Sequence, residues 1–279
     1  MATDLPLPPD AVTYYEAGRE HARLERSTGA LERMRTQELI ARYVPPPPAT
    51  VLDVGGGTGP YAFWLAEQGY TVHLLDAMPL HVEQARRLDE GRTARLAGIS
   101  EGDARHLPFA DESADVVLLL GPLYHLTGRG DRLEAWREAH RVARVGGVVL
   151  AAGISRYASL LDGLSRGFLD DPDFVRIVRE DLATGQHRNP AHHPDYFATA
   201  YFHVPGELRE EAEDAGWRQV ETLAIEGPAW LFPMALERLQ DEQLQAHYLE
   251  AIRSVERDPA LLPVSAHIMA VAEKTLPLP

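Results

Sequence analysis

Apolar residues in this chain fall into short continuous runs separated by stripes at helical spacing. Asp115-Val116-Val117-Leu118-Leu119-Leu120 is apolar after its acid, the pattern of a strand covered by helices on both faces. Ala62, Leu65 and Ala66 recur at helical spacing, and Leu133, Trp136, His140 and Ala143 mark one face of a later helix. The pattern predicts strands over 50–54, 71–75, 95–100, 115–120 and 148–154. Helices are expected over 79–89 and along the Leu133–Ala143 stripe, the latter ended by Gly146-Gly147. Strands alternating with helices imply a mostly parallel sheet with right-handed crossovers.

The flanks read differently. Residues 12–43 look helical with a break at Ser27-Thr28-Gly29, and Pro45 to Pro48 stop any helix before the first strand. Residues 155–204 show no clear strand–helix alternation and carry His187, His192, His193 and His203. Regularity returns with a helix over 206–215, a strand over 218–226, a helix over 233–253 and a strand over 264–273. Four units follow: an N-terminal helical lid over 1–45, a ligand-binding half over 46–154, an inserted cap over 155–204, and the rest of the sheet over 205–279.

Composition narrows the partners. A content of 45% hydrophobic and 25% charged residues is that of a soluble globular protein. No uninterrupted apolar stretch of bilayer length occurs, and the N-terminus lacks a basic region followed by an apolar core, so neither a membrane partner nor a secretory signal is expected. The absence of cysteine excludes disulfides and thiolate metal sites and fits a cytoplasmic protein. A formal charge of −15 argues against nucleic acid, whose phosphates demand Lys and Arg. No metal site is expected from the inserted histidines, because His192 and His193 are adjacent, lie between prolines and form no helical i, i+4 pair.

The most informative run is Val51-Leu52-Asp53-Val54-Gly55-Gly56-Gly57-Thr58-Gly59-Pro60. It reads as strand, tight loop, helix, with glycines where a backbone turns sharply or a ligand approaches the main chain. A dinucleotide fingerprint starting at Gly55 would need glycine at position 60, which is proline, and no Gly-Lys-Ser/Thr ending of a P-loop is present. Asp76 ends the second strand 23 positions after Asp53, suitably placed for ribose hydroxyls, with Ala77 beside it. Gly102-Asp103-Ala104-Arg105-His106-Leu107-Pro108-Phe109 follows the third strand, and Gly146-Gly147 precedes the fifth. Together these segments resemble the ordered motifs of class I S-adenosylmethionine-dependent methyltransferases over residues 50–154.

That resemblance implies an α/β, three-layer Rossmann-like sheet of seven strands with the last antiparallel. It implies S-adenosyl-L-methionine as cofactor, with Asp53, Gly55, Gly57, Asp76 and Ala77 along one wall and Asp103 and Ala104 at the adenine. The Leu120 carbonyl is expected at the methionine ammonium, Tyr15 as an aromatic lid residue, and Arg35 at the methionine carboxylate, with Arg19 a further lid cation. His125 is the expected general base, Tyr124 an acceptor contact beside it, and Tyr201 and His203 further acceptor contacts from the insertion. The plain alternatives are packed tyrosines, solvated arginines and a loop histidine. The activity expected is in-line methyl transfer to an O or N nucleophile of a small molecule, by a monomer or homodimer. A protein or RNA methyltransferase, or a non-catalytic protein that binds the same cofactor, are the alternatives. The Asn/Asp-Pro-Pro-aromatic motif of enzymes that methylate nucleic-acid bases is absent.

Overall fold

A computed structural model describes residues 7–16, 24, 27–193 and 195–276; Arg19 lies outside them. In chain order the main elements are α1 (Pro9–Glu16), α2 (Ser27–Tyr43), β1 (Thr50–Val54), α3 (Pro60–Glu67), β2 (Thr71–Asp76), α4 (Pro79–Glu90), β3 (Gly98–Glu101) and β4 (Ala114–Leu119). Then come α5 (Pro122–His125), α6 (Arg129–Val142), β5 (Ala143–Ser155), α7 (Ala158–Arg166), α8 (Pro172–Thr184), β6 (Gln186–His187) and β7 (Ala200–His203). The chain closes with α9 (Pro205–Asp214), β8 (Arg218–Ala224), α10 (Pro233–Arg238), α11 (Glu242–Val255) and β9 (His267–Glu273).

β1 pairs in parallel with β2 on one side and β4 on the other, while β3 extends β2 and β5 extends β4. β9 runs antiparallel to β5, and β8 pairs antiparallel with β9. The expected seven-stranded sheet with β9 reversed is therefore present, and β7 with the antiparallel β6 extends it to nine strands among the described residues. Alternate residues feed opposite layers, as the period of two requires. Val117 and Leu119 pack with Trp136, Leu208 and Trp217 on one face. Val116 and Leu118 pack with Ile40, Phe63 and Leu65 on the other.

The chain leaves β1 toward β2 and β3, then crosses back to β4 on the opposite side of β1. Such a switch point opens a crevice at the strand C-terminal ends, where open α/β sheets bind ligands. The insertion adds to that end. β4 pairs with β5 only as far as Ala151, and β7 takes over the vacated edge through Ile154 and Ser155. The insertion is thus a helical pair and a short hairpin, rooted in the sheet rather than hanging from it.

Three boundaries differ from expectation. Gly146-Gly147 does not end α6; that helix stops at Val142, and Gly146, at φ 80°, lies inside β5. Its amide bonds the Lys274 carbonyl at 2.7 Å, so the pair shapes a strand irregularity instead of a helix cap. The helix expected over 233–253 is two, because Asp241 caps a fresh start by accepting from the Gln243 amide at 2.9 Å. Ser27, Thr28 and Gly29, expected to break the helix, lie within α2.

α2 is fastened to the C-terminal region by a buried ion network. Arg35, fully buried, donates to Glu256 and Glu38, each at 2.5 Å, and to the Ile225 carbonyl at 3.0 Å. This occupies the side chain expected at the cofactor carboxylate. Arg35→Met should lower unfolding free energy by about 1.5–3 kcal/mol, since Glu256 keeps Arg42 and Arg257 but loses its one fully buried charged partner. Denaturant titration checks this, and a loss below about 1 kcal/mol would show the pair to be a weak surface-type contact.

Candidate active site

The glycine loop is held close to three strand ends. The amides of Gly55 and Gly56 both bond the Leu75 carbonyl, at 2.7 and 3.3 Å. Gly55 has φ 71°, and a Cβ there would stand 2.7 Å from Pro122 Cδ, so only glycine lets the loop lie against α5. Gly57, at φ 58°, is different, because a Cβ there would meet nothing within 4 Å. Its amide instead donates to Asp76 Oδ2 at 2.7 Å. Asp76 Oδ1 accepts from the Met78 amide at 2.8 Å and lies 3.1 Å from His81 Nδ1.

A cleft opens over this loop. Its lining includes Tyr15, Asp53, Gly55, Gly57, Asp76, Ala77, Asp103, Ala104 and Leu120 of the expected cofactor residues, together with Tyr124 and His125. Arg35 is not among them. Asp103 is half-buried and gripped by Arg105 at 2.6 Å; burial pushes its pKa up, but those bonds outweigh it and hold the carboxyl below its usual range.

Asp53 is the unusual acid. It is 1% exposed, and neither carboxylate oxygen has a hydrogen-bond partner among the described residues. Burial first, and the neighbouring Asp76 charge second, push it up to about 7. The Ala62 amide in the first turn of α3 favours the ionised form but falls outside hydrogen-bond geometry. A buried carboxyl without a partner in the wall of the cleft suits a ligand bearing a cationic group such as an amino-acid ammonium.

A second cavity of ≈ 310 Å³ adjoins the first and shares Tyr15, Glu32, Tyr124 and His267 with it. Its walls come from α1 and α2, the insertion, and the loops flanking β8 and β9, with Phe174, Tyr196, Phe197, Phe202 and Trp230 among its aromatic residues. Tyr124 lies there as expected. Tyr201 and His203 do not line either cavity. The Tyr201 ring lies under Arg132 at 3.7 Å and its hydroxyl is 3.2 Å from Arg156 Nη2. His203 is fully buried, 3.5 Å from Glu211, which is itself forked by Arg132. β7 pairs at the sheet edge, and alternation turns these side chains toward α9 instead of the ligand.

His125 Nε2 and the Tyr15 hydroxyl share a hydrogen bond of 2.6 Å. Burial, the dominant cause, pushes it down to about 4 despite the charges of Asp76 and Asp10. The imidazole is therefore neutral but weakly basic, a departure from the general base that was expected, since an efficient base has a pKa near the working pH.

Sequence reasoning missed His81, Glu226 and His267. Glu226, 1% exposed, accepts from His267 Nδ1 at 2.6 Å, from the His267 amide at 2.9 Å and from Ser265 Oγ at 2.8 Å. With Glu32, these are the cluster of three potential ligand groups found among the described residues. The Glu226 carboxylate is already engaged by hydrogen bonds, so the arrangement is a carboxylate–histidine pair. The only available signal was Glu226 and His267 flanking the last two strands.

The Asp53 position generates a pH prediction. Its folded pKa is raised above the unfolded value, so the proton it retains stabilises the ligand-free fold at low pH. That contribution is complete below about pH 4 and is lost as pH rises through about 7. Comparing unfolding free energies of the parent and Asp53→Asn between pH 5 and 8 should show the parent losing up to about 1.4 kcal/mol per pH unit more than the variant. Parallel curves would mean that Asp53 is hydrated or paired in solution.

Comparison with known proteins agrees with this geometry. The family described as "Methyltransferase domain" matches residues 52–151. A demethylmenaquinone methyltransferase of a Roseiflexus species is 30% identical over 198 residues, covering 69% of this chain and 78% of that protein. The methyltransferase GfsG of Streptomyces halstedii is 36% identical over 143 residues, with 50% of this chain matching 46% of that one. A crystal structure of a SAM-dependent methyltransferase from Methanosarcina mazei shares the fold, with a TM-score of 0.58 at 15% identity over 86% of this chain and 98% of that one. The match across most of the Roseiflexus enzyme and the cleft at the β1–β4 switch point make this chain a member of the class I S-adenosylmethionine-dependent methyltransferases.

Proposed function

We propose that the chain transfers a methyl group to an oxygen or nitrogen of a small molecule held in the second cavity. The observation that carries this reading is the shared wall. Tyr15, Glu32, Tyr124 and His267 border both cavities, so an acceptor in one abuts a cofactor in the other. The second cavity's volume suits a small ligand. Its carboxylates Glu32, Asp162, Asp195 and Glu226, against the single lining cation Arg166 among the described residues, disfavour an RNA phosphate backbone. An aromatic lining suits a planar acceptor, and the name of the Roseiflexus relative points to a quinone-type molecule.

Bound S-adenosylmethionine supplies a methyl group already made electrophilic by its sulfonium. The residues' task is to align the acceptor and exclude water, an effect worth up to roughly 7–11 kcal/mol. In this reading Asp76 meets the ribose, Asp103 the adenine amino group, and Asp53 with the Leu120 carbonyl the ammonium. His125 anchors Tyr15 over the cleft. One chain forms both cavities, so no second copy is required.

Calorimetry with S-adenosylmethionine and a methyl-release assay on phenols, hydroquinones and amines test the proposal. Asp76→Asn should weaken cofactor binding by about 1.5–3 kcal/mol, the worth of a charged hydrogen bond. Unchanged affinity would misplace the ribose, and turnover confined to protein or RNA would overturn the small-molecule reading. Binding with no turnover on any acceptor would favour a non-catalytic role.

A further inference from the structure

His267 stands at the junction of the two cavities, where an acceptor's reacting atom has to lie if the small-molecule reading holds. It is the first residue of β9, and Glu226 follows β8 by two positions. The register of these strands, Ala224 opposite Ile268, brings Ile225 beside His267, and the helical backbone of Glu226 just past the strand end lets its carboxylate reach the ring. Ser265 completes the arrangement, with its Oγ accepting the amides of Glu226 and Gly227 at 3.0 Å each while donating to Glu226 Oε2. The carboxylate is therefore fixed in place before any ligand arrives.

An ionised carboxylate only accepts hydrogen bonds, so the 2.6 Å contact places the imidazole proton on Nδ1. Nε2 is then the basic nitrogen. Glu226 orients the ring and favours the imidazolium that forms when Nε2 takes a proton, the role a carboxylate plays behind a catalytic histidine. Among the described residues, the other ionisable groups around it are Glu32 on α2, whose Oε2 is 4.0 Å from Nδ1, and Tyr15 and Tyr124 across the shared wall. Among the described residues His125 has no such carboxylate hydrogen bond, its Nε2 meeting the Tyr15 hydroxyl instead.

We propose that His267, positioned by Glu226, is the general base of the reaction and that the acceptor is accordingly a hydroxyl compound of phenol, hydroquinone or enol type. The proposal rests on the second cavity being the acceptor site. A neutral amine already carries the lone pair it needs, whereas a hydroxyl is a poor nucleophile until its proton is removed, so a preset base points to the hydroxyl class. His267 Nε2 takes the O–H proton, and the oxygen uses its freed pair to bond the methyl carbon. The methyl-to-sulfur bond breaks with its electrons left on sulfur, and the imidazolium returns the proton to solvent. The methylated acceptor, S-adenosylhomocysteine and one proton result.

The test uses 4-nitrophenol, whose anion is yellow, titrated into the full chain saturated with S-adenosylhomocysteine across pH 5–9. Bound nitrophenol should ionise about one pH unit lower in the parent than in His267→Gln, with Glu226→Gln between them. Unchanged calorimetric affinity for S-adenosylhomocysteine shows that each variant is folded. Equal ionisation in parent and His267→Gln overturns the base while leaving the acceptor cavity intact. No nitrophenol binding to a complex that still holds S-adenosylhomocysteine overturns the acceptor-cavity reading and the base with it. Ionisation abolished by a chelator would assign the effect to a bound cation and likewise overturn the base.

Discussion

The Asp76 carboxylate, accepting the amides of Gly57 and Met78 and flanked by His81, joins the loop after β1 to the loop after β2. Its geometry depends on the positive φ of Gly57, a conformation that L side chains rarely adopt even where, as here, a Cβ would find open space. The same loop is pressed from the other side by Pro122, 2.7 Å from where a Gly55 Cβ would stand. Three strand ends are thus brought to one edge. At the β1 end the Asp53 oxygens have no polar contact among the described residues, and a ligand can supply one.

From that edge the rest of the molecule is arranged in order of distance. β7 continues the sheet where β4 stops, so the insertion is registered to the cofactor wall through Ile154 and Ser155. α1 is pinned between them, with the Asp10 carboxylate accepting the Thr199 amide at 2.7 Å and the Tyr15 hydroxyl reaching His125 at 2.6 Å. A helix that touches the cofactor cleft and the insertion together transmits the geometry of one cavity to the other. The buried Arg35 network does the same for α2 from the opposite side.

The cofactor half was legible because its chemistry is local in sequence. Asp53, Gly55, Gly57, Asp76 and Ala77 fall within consecutive strand–loop–helix units, where backbone constraints and ligand contact act on neighbouring residues. The insertion was less legible, although α8 carries ordinary start and stop signals. Asp171 caps it, Pro172 opens it and Gly185 at φ 75° closes it. Arg35, Tyr201 and His203 were misplaced for a common reason. Each has a functional residue type, yet its direction depends on helix packing and strand register set by partners far along the chain, Glu256, Arg132 and Glu211 among them. Residue type alone does not distinguish a buried ion network from a binding site.

The same separation explains how one fold can hold a fixed methyl donor and a variable acceptor. Residues 52–151, where the family match lies, build the cleft over the glycine loop. The second cavity draws instead on Tyr14, Glu32, the insertion and the segment from Glu226 to His267, all outside that span except Tyr124. Changes in these outer segments alter shape, charge and basicity around the second cavity at positions that do not touch Asp76 or Gly57. His267 and Glu226 belong to this outer set, yet they sit on sheet strands or their immediate ends instead of on the inserted cap. A proton-accepting group anchored in the sheet keeps its aim at the shared wall while the cap varies, which is the placement a site needs when its geometry must hold within fractions of an ångström.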